Sequence, residues 1–306
     1  MTGADLTSPT DPYAAPWPAQ AQRAVTLAGA IAVAYLGATL VPIIRYTRSS
    51  GDVGPSAAHV AALLMGAALL ASRSPRAQGW RAWLPLLLGP FLYWEQRWLI
   101  PGLGRAHQDA LVIAWEHSLF PSDPSRTLAE RFYYPAASEL LHFAYASYYG
   151  IVLVPPALLY LRAKREEYAQ TLLSLSLVYA ACFITFLLFP VDGPRFLHGP
   201  AAAPPGPIRA AVLSLLDTAS ARGTAFPSSH VAAAIVSSVC ALRFQPWIGR
   251  LAAVLTALLI VGTVYGGFHY GVDALAGLLV GALISMVGAI IWRLLGSDAR
   301  SATAAQ

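Results

Sequence analysis

Charged residues are scarce in this chain of 306 residues: they make up 11% of it, hydrophobic residues make up 57%, and the mean hydropathy is +0.55. A soluble domain spends about a quarter of its residues on charge. An apolar excess of this size fits lipid rather than water as the surrounding solvent. The composition therefore argues against an ordinary soluble domain and predicts an integral membrane protein.

Cysteine is scarce as well, with only Cys182 and Cys240, each inside an apolar run. Neither CxxC spacing nor a disulfide framework is present, so both are interpreted as small core residues. The net charge of +5 does not indicate nucleic-acid binding. The arginines form short clusters between apolar runs, where topology signals lie, and do not line one basic face.

The start of the chain lacks a basic stretch leading into a short apolar core, so we expect no cleavable signal peptide. Residues 1–22 and 296–306 are predicted to be disordered tails. Between them, runs of about 20 mostly apolar residues predict an all-α, polytopic transmembrane helical bundle. The eight predicted spans lie near 24–44, 57–72, 82–100, 137–161, 168–190, 229–244, 249–267 and 270–294.

Basic residues predict the orientation of these spans. Clusters lie in the connections 73–81, 162–167 and 243–250, which fall on one side if the spans alternate, and the positive-inside rule makes that side cytoplasmic. Arg45 and Arg48 fall on the other side. The long connections 101–136 and 191–228 then face outward, so we expect a multi-pass plasma-membrane protein with its site on the extracytoplasmic face.

Three clusters of polar residues fall on that outer side. They are Phe189 to Phe196 at the end of span five, Ala225 to His230 at the start of span six, and Tyr265 to Asp273 at the start of span eight. Ionisable residues at membrane depth are costly and are functional candidates by default. Separate segments thus deliver an arginine, two histidines and an aspartate to one face.

The third cluster has the spacing of a catalytic pair. His269 and Asp273 are four residues apart, so on a helix they share one face. The carboxylate can hold one imidazole nitrogen protonated and leave the other free as a nucleophile. A phosphoryl group could then pass through phospho-His269.

The other two clusters have features that suit a phosphate. Ser228 and Ser229 precede a helix whose first turn has unpaired N–H groups, which attract an anion. Arg195 can pair bidentately with phosphate oxygens. His230, facing the same ligand, is placed to protonate a leaving oxygen.

Each of these features alone has an ordinary structural explanation. A lone histidine is most often structural, a serine before a helix is usually an N-cap, and one arginine can simply meet a lipid headgroup. Their coincidence on one face favours a functional site. A further stripe on span four, Glu139, His142 and Tyr145, is either interhelical hydrogen bonding or a headgroup pocket.

Neither a metal nor a cofactor is expected. The two histidines of the outer clusters belong to different helices, and the arginine beside them would repel a cation.

At these three clusters the sequence resembles the type 2 phosphatidic acid phosphatase superfamily. Ala225 to His230 is similar to its Pro-Ser-x-His motif, and His269 to Asp273 is similar to the end of its third motif. The resemblance implies a six-helix core in 82–295, preceded by two extra helices in 23–81. It also implies His269 as the nucleophile, Asp273 as its orienting partner, His230 as the general acid and Arg195 as a phosphate ligand.

Two positions depart from the phosphatase pattern. Leu188 stands where that pattern has a lysine, and Gly262-Thr263 stands where it has Ser-Arg. Two phosphate-binding cations are therefore absent. In this respect, and in the stripe on span four, the chain is more similar to the inositol phosphorylceramide synthase branch. The members of that branch are inositolphosphotransferases.

The leading hypothesis is therefore a lipid phosphotransferase that moves a phospho-headgroup from a phospholipid to a lipid alcohol through a phospho-histidine. The alternative is a lipid-phosphate phosphohydrolase that gives the phosphoryl group to water. A non-enzymatic transporter or scaffold would need broken helices with charges at the membrane midplane. The ionisable residues here lie at helix ends instead.

Overall fold

The computed structural model describes residues 17–304, without the side chains of Pro75, Arg76 and 298–304. Within this part the fold is all-α, and the nearest approach to a strand is one isolated parallel bridge between Val191 and Thr224. The helices are α1 (Ala19–Ala38), α2 (Leu40–Ser50), α3 (Gly54–Ala71), α4 (Pro75–Trp94), α5 (Gln96–Leu103), α6 (Asp109–Leu119), α7 (Pro124–Arg131), α8 (Pro135–Ala146), α9 (Tyr148–Leu161), α10 (Arg165–Leu188), α11 (Pro194–His198), α12 (Pro207–Ala219), α13 (Ser229–Phe244), α14 (Pro246–Tyr265) and α15 (Gly271–Ala304).

Five of the described helices are long and apolar enough to cross a membrane: α1, α3, α10, α14 and α15. The helices α8 and α9, bent by 41° at their junction, make a sixth if they are one span. Along α15 the side chains of Leu279, Leu283 and Met286 are more than half exposed. Apolar residues that share one exposed helix face fit a lipid environment. The chain is therefore a polytopic helical membrane protein.

The structure thus supports fewer spans by length and hydropathy than the eight expected from the sequence. The predicted span 82–100 is divided between α4 and α5, and α4 contains Pro85 and Pro90. The predicted span 229–244 is the 16-residue helix α13, which at about 1.5 Å per residue is shorter than a 30 Å hydrocarbon core. Both pack against helices that are long and apolar enough to cross a membrane: α4 on α1, α3 and α10, and α13 on α14 and α15.

The predicted tails and loops also differ from the structure. Helix α1 begins at Ala19, inside the tail expected over 1–22, while 1–16 lie outside the described residues. Helix α15 continues to Ala304 through most of the tail expected over 296–306. The connections 101–136 and 191–228, for which the sequence predicted no elements, contain the short helices α6, α7, α11 and α12.

The bundle is built around α10. Of its membrane-spanning window, 61% is buried, against 22% for α15, and it packs on α1, α9, α13 and α15. Large buried side chains such as Phe183 and Phe186 lie on it. Helix α13 packs between α14 and α15, so the two helices that begin with the polar clusters lie side by side. The short helices of the two connections collect at the ends of these spans.

Candidate functional site

Main-chain hydrogen bonds join the three polar clusters. The Val191 N–H donates to the Gly223 carbonyl at 3.2 Å, and the Ala225 N–H donates back to the Val191 carbonyl at 2.9 Å. The Ser228 N–H donates to the Asp273 carbonyl at 3.0 Å. Three segments far apart in the sequence therefore meet through their backbones.

Gly193 allows one of these close approaches. Its φ is +85°, and a Cβ at this position would lie 2.9 Å from the Ala225 Cβ. Only glycine adopts this conformation readily and leaves that space free. The segment that carries Arg195 can therefore lie directly against the segment that leads to His230.

One ring nitrogen of His269 hydrogen-bonds to a carbonyl and lies near a carboxylate. Its Nδ1 lies 3.0 Å from the Ala225 carbonyl oxygen and 3.5 Å from Asp273 Oδ2. The sequence predicted the carboxylate as the partner, yet the carbonyl is the nearer one. A carbonyl only accepts, so Nδ1 carries the proton and Nε2 keeps its lone pair. Asp273 is fully buried, and its Oδ2 also accepts from the Tyr270 N–H at 2.9 Å.

His230 lies in the first turn of α13 and is held by aromatic rings. Its ring stacks on Tyr145 at 5.2 Å between centroids and lies 4.4 Å from the ring of Tyr148. The Tyr145 hydroxyl is 3.4 Å from His230 Nε2. The centroids of the His230 and His269 rings are 6.0 Å apart, so the two imidazoles lie close together.

Arg195 lies in α11 with its side chain 12% exposed. Its Nη1 donates to Ser220 Oγ at 2.6 Å, and its Nη2 forms an ion pair with Asp217. A cavity of about 40 Å³ is lined by Arg195, His230 and His269 together. An anion in this cavity would meet one guanidinium and two imidazoles.

Only one of the three residues predicted for the stripe on span four lines this cavity. Tyr145 lines the small cavity, whereas Glu139 and His142 do not. The Glu139 carboxylate accepts from the N–H groups of Ile208 and Arg209, at 2.9 and 3.0 Å, and so caps α12. His142 is buried, and its Nδ1 bonds to the carbonyl of the preceding turn. The Glu139 contact joins α8 to α12, as in the interhelical interpretation of the stripe, whereas the His142 contact stays within α8.

The two serines of the second cluster also have different surroundings. Ser228 is the N-cap of α13, and its hydroxyl accepts from the Val231 N–H at 3.4 Å. Ser229 is buried and lines a second cavity. Neither serine lines the small cavity.

This second cavity has a volume of about 340 Å³ and is lined mainly by apolar and aromatic side chains of α4, α9 and α10. Tyr93 and His230 line both cavities. The Tyr93 hydroxyl is 3.2 Å from Thr224 Oγ1. An apolar chamber therefore adjoins the polar one, with a histidine at the junction. Sequence reasoning missed Tyr93 because nothing in its neighbourhood along the chain marks it.

Two carboxylates of α6 hold the segments that carry the site. Glu116 accepts from the N–H groups of Gly271 and Val272, both at 2.8 Å, at the start of α15. Asp109 accepts from the N–H groups of Asp192 and Gly193, both at 3.0 Å. Burial raises the pKa of the Glu116 carboxyl, and the two N–H donors act in the opposite direction. Sequence analysis missed both residues.

Among the described residues, His107, Asp109 and Asp192 place ligand atoms within 4.8 Å of one another. All three side chains already have hydrogen-bond or ion-pair partners within the protein. His107 Nδ1 lies 2.8 Å from one oxygen of Asp192, and Arg222 lies 3.0 Å from the other. Asp109 accepts the two backbone N–H groups, and a guanidinium at this position opposes a cation. This cluster therefore fits a structural role better than a metal centre.

The fold and the site define a class: a polytopic helical membrane protein with two histidines and an arginine around one small cavity. The family model of the PAP2 superfamily matches residues 110–287, more than half of the chain, and this stretch contains all three polar clusters. The chain belongs to that superfamily, whose members are phosphatases and phosphotransferases. No curated protein and no solved structure matches it.

Proposed function

We propose that the protein is a lipid phosphotransferase that moves a phospho-headgroup from a phospholipid to a lipid alcohol through a phospho-histidine. The observation that carries this proposal is the charge of the small cavity. Among the described residues that line it, Arg195 is the one permanent cation, beside His230 and His269. The one carboxylate in that lining, Asp192, is already paired with His107 and Arg222. A single guanidinium matches the single charge of a phosphodiester better than the two charges of a monoester.

In the first step, Nε2 of His269 attacks the phosphorus of the donor. The P–N bond forms as the P–O bond to the lipid alcohol of the donor breaks, and His230 gives its proton to the departing oxygen. Arg195 binds the phosphate oxygens. The Ala225 carbonyl and Asp273, both within reach of Nδ1, stabilise the imidazole as it gains positive charge.

In the second step, the hydroxyl of the acceptor lipid attacks the phosphorus and gives its proton to His230. The P–O bond to the acceptor forms, and the P–N bond to His269 breaks. The 340 Å³ apolar cavity supports a lipid partner, because it reaches His230 and Tyr93 from the side of α4 and α9. Apolar chambers of this size bind hydrocarbon and exclude water.

Transfer rather than hydrolysis is also supported by the surroundings of the positions where this sequence differs from the phosphatase pattern. A Cβ on Gly262 would lie 2.5 Å from the Leu141 carbonyl oxygen, and the Thr263 side chain is fully buried. Leu188, at the end of α10, is exposed and does not line the small cavity. The site thus has neither of the two additional cations of the phosphatase pattern. Resemblance to the inositol phosphorylceramide synthase branch agrees with this proposal. We further propose a plasma-membrane location with the site facing outward.

The test compares two substrates on purified protein. Phosphatidic acid alone should release little inorganic phosphate, whereas a phospholipid donor plus a lipid alcohol should yield exchanged headgroup. Each missing charge-assisted hydrogen bond is worth about 1.5–3 kcal/mol, so two missing bonds lower monoester turnover about 100-fold or more. Rapid release of phosphate from phosphatidic acid would replace this proposal with the phosphohydrolase alternative.

A further inference from the structure

Asp217 is an anion held against the arginine of the site. It lies near the end of α12, its side chain is 73% exposed, and it forms an ion pair with Arg195 Nη2. A second N–H of the same guanidinium donates to Ser220 Oγ. A phosphate bound to Arg195 would therefore lie within a few ångströms of the Asp217 carboxylate.

Carboxylates balance the cations at the mouth of the cavity. Asp192 lines the small cavity, and its two oxygens meet His107 and Arg222. Asp217 does not line the small cavity; with Arg195 it lines a separate cavity of about 400 Å³. Arg195, which lines the small cavity, and Arg222, which pairs with Asp192 of its lining, are thus each paired with an aspartate. The surroundings of a bound phosphate carry little net positive charge.

We propose that Asp217 is a specificity-determining residue that makes the site select phosphate groups with one negative charge over groups with two. This inference rests on the proposed function, because it requires Arg195 to bind the substrate phosphate. The carboxylate repels the second charge of a monoester across a short distance. At about 6 Å and an effective dielectric constant of about 40, one extra unit of charge weakens binding on the order of tenfold.

Two soluble probes with the same chain separate charge from hydrocarbon: hexyl phosphate and hexyl methyl phosphate. At pH 8 the monoester is almost entirely a dianion, since its second pKa is near 6, and the diester has one charge. Dissociation constants are taken from the shift of the thermal unfolding midpoint with probe concentration in detergent. All proteins carry His269→Ala, so no turnover intervenes.

In Asp217→Asn, the ratio of the monoester dissociation constant to the diester constant should fall on the order of tenfold. Asp217→Glu retains the charge and should keep the parental ratio. The matched control is Glu130→Gln, which removes one exposed charge from an ion pair on α7 that does not line the site. That control should also keep the parental ratio.

The remaining outcomes identify which idea fails. An unchanged ratio in Asp217→Asn, with both probes lost in Arg195→Ala, overturns the role of Asp217 and leaves the phosphate site standing. An equal fall of the ratio in Glu130→Gln also overturns it, because the effect would then be general surface charge. If Arg195→Ala binds both probes like the parent, or the parent binds neither, the proposed function itself fails.

Discussion

At the scale of single residues, His269 Nδ1 hydrogen-bonds to the carbonyl of Ala225 and lies 3.5 Å from the carboxylate of Asp273. Replacing His269 by Ala should abolish turnover and the labelling of the protein with acid-labile phosphate. Asp273→Asn should lower kcat by about 10²- to 10³-fold. This is less than the roughly 10⁴-fold loss in a serine-protease triad, because the Ala225 carbonyl still holds the tautomer.

Trapping the phosphoryl group on purified protein is the direct assay of that nucleophile. Undiminished labelling of His269→Ala would rule out the assignment. Circular dichroism of each variant separates a chemical loss from a loss of fold.

Glu116 is a positioning residue for the same histidine, because it holds the start of α15, two residues after His269. In Glu116→Gln the amide offers one acceptor oxygen in place of two, so one charge-assisted hydrogen bond to the start of α15 is lost, worth about 1.5–3 kcal/mol. We expect kcat to fall about tenfold, since small misplacement of a reacting group is costly, while KM changes little. Steady-state kinetics with varied donor concentration measures kcat and KM separately.

Asp123 provides the matched control for Glu116. Its carboxylate caps α7 by accepting from Ser125 and Arg126, at 2.9 and 3.2 Å, and α7 carries no residue that lines the small cavity. Asp123→Asn should therefore lower stability without changing kcat. An equal fall of kcat in both variants would mean that Glu116 contributes only to general stability.

At the scale of elements, a buried ion pair joins α3 to the end of α4. His59 Nδ1 lies 2.8 Å from Glu95 Oε2, both side chains are fully buried, and His59 Nε2 lies 2.8 Å from the carbonyl of Leu36 in α1. Three helices, α1, α3 and α4, thus meet at one imidazole. Sequence analysis assigned His59 no function, and the structure gives it this structural role.

Removing one partner of that pair should loosen the first helices. His59→Ala leaves the Glu95 carboxylate buried without its partner, which costs about 3–5 kcal/mol. We expect a lower thermal unfolding midpoint in detergent and earlier proteolysis between α2 and α3. Substituting Glu130, the exposed partner of Arg126 on α7, should leave the midpoint unchanged. A midpoint equally unaffected by His59→Ala would contradict the anchoring role.

At the scale of the whole molecule, the distribution of basic residues predicts which face is outside. A cysteine placed at Ala202 should react with a membrane-impermeant thiol reagent in intact cells, and one placed at Ala163 should not. Both native cysteines are buried, so background labelling should be low. The reverse pattern would invert the orientation and put the chemistry on the cytoplasmic face.

Local patterns in the sequence were sufficient for the helical class and for the three polar clusters. A long apolar run forms a helix in lipid because no other structure satisfies its backbone. The i, i+4 spacing of His269 and Asp273 is likewise a local property, and so is the serine cap before His230. Span ends were less predictable, because a tail such as 296–306 can continue a helix without any apolar signal.

The tertiary structure alone decided which distant groups complete the site. Glu116 is 155 positions from Gly271, Asp217 is 22 positions from Arg195, and Tyr93 reaches the site from α4. The sequence by itself determined a helical membrane protein, and it predicted that two histidines, an arginine and an aspartate share one face. It could not determine how a carboxylate is used, because a carboxylate serves equally to cap a helix, to pair with a guanidinium or to orient an imidazole. Only the packing of the helices places one of these partners within hydrogen-bond distance of it.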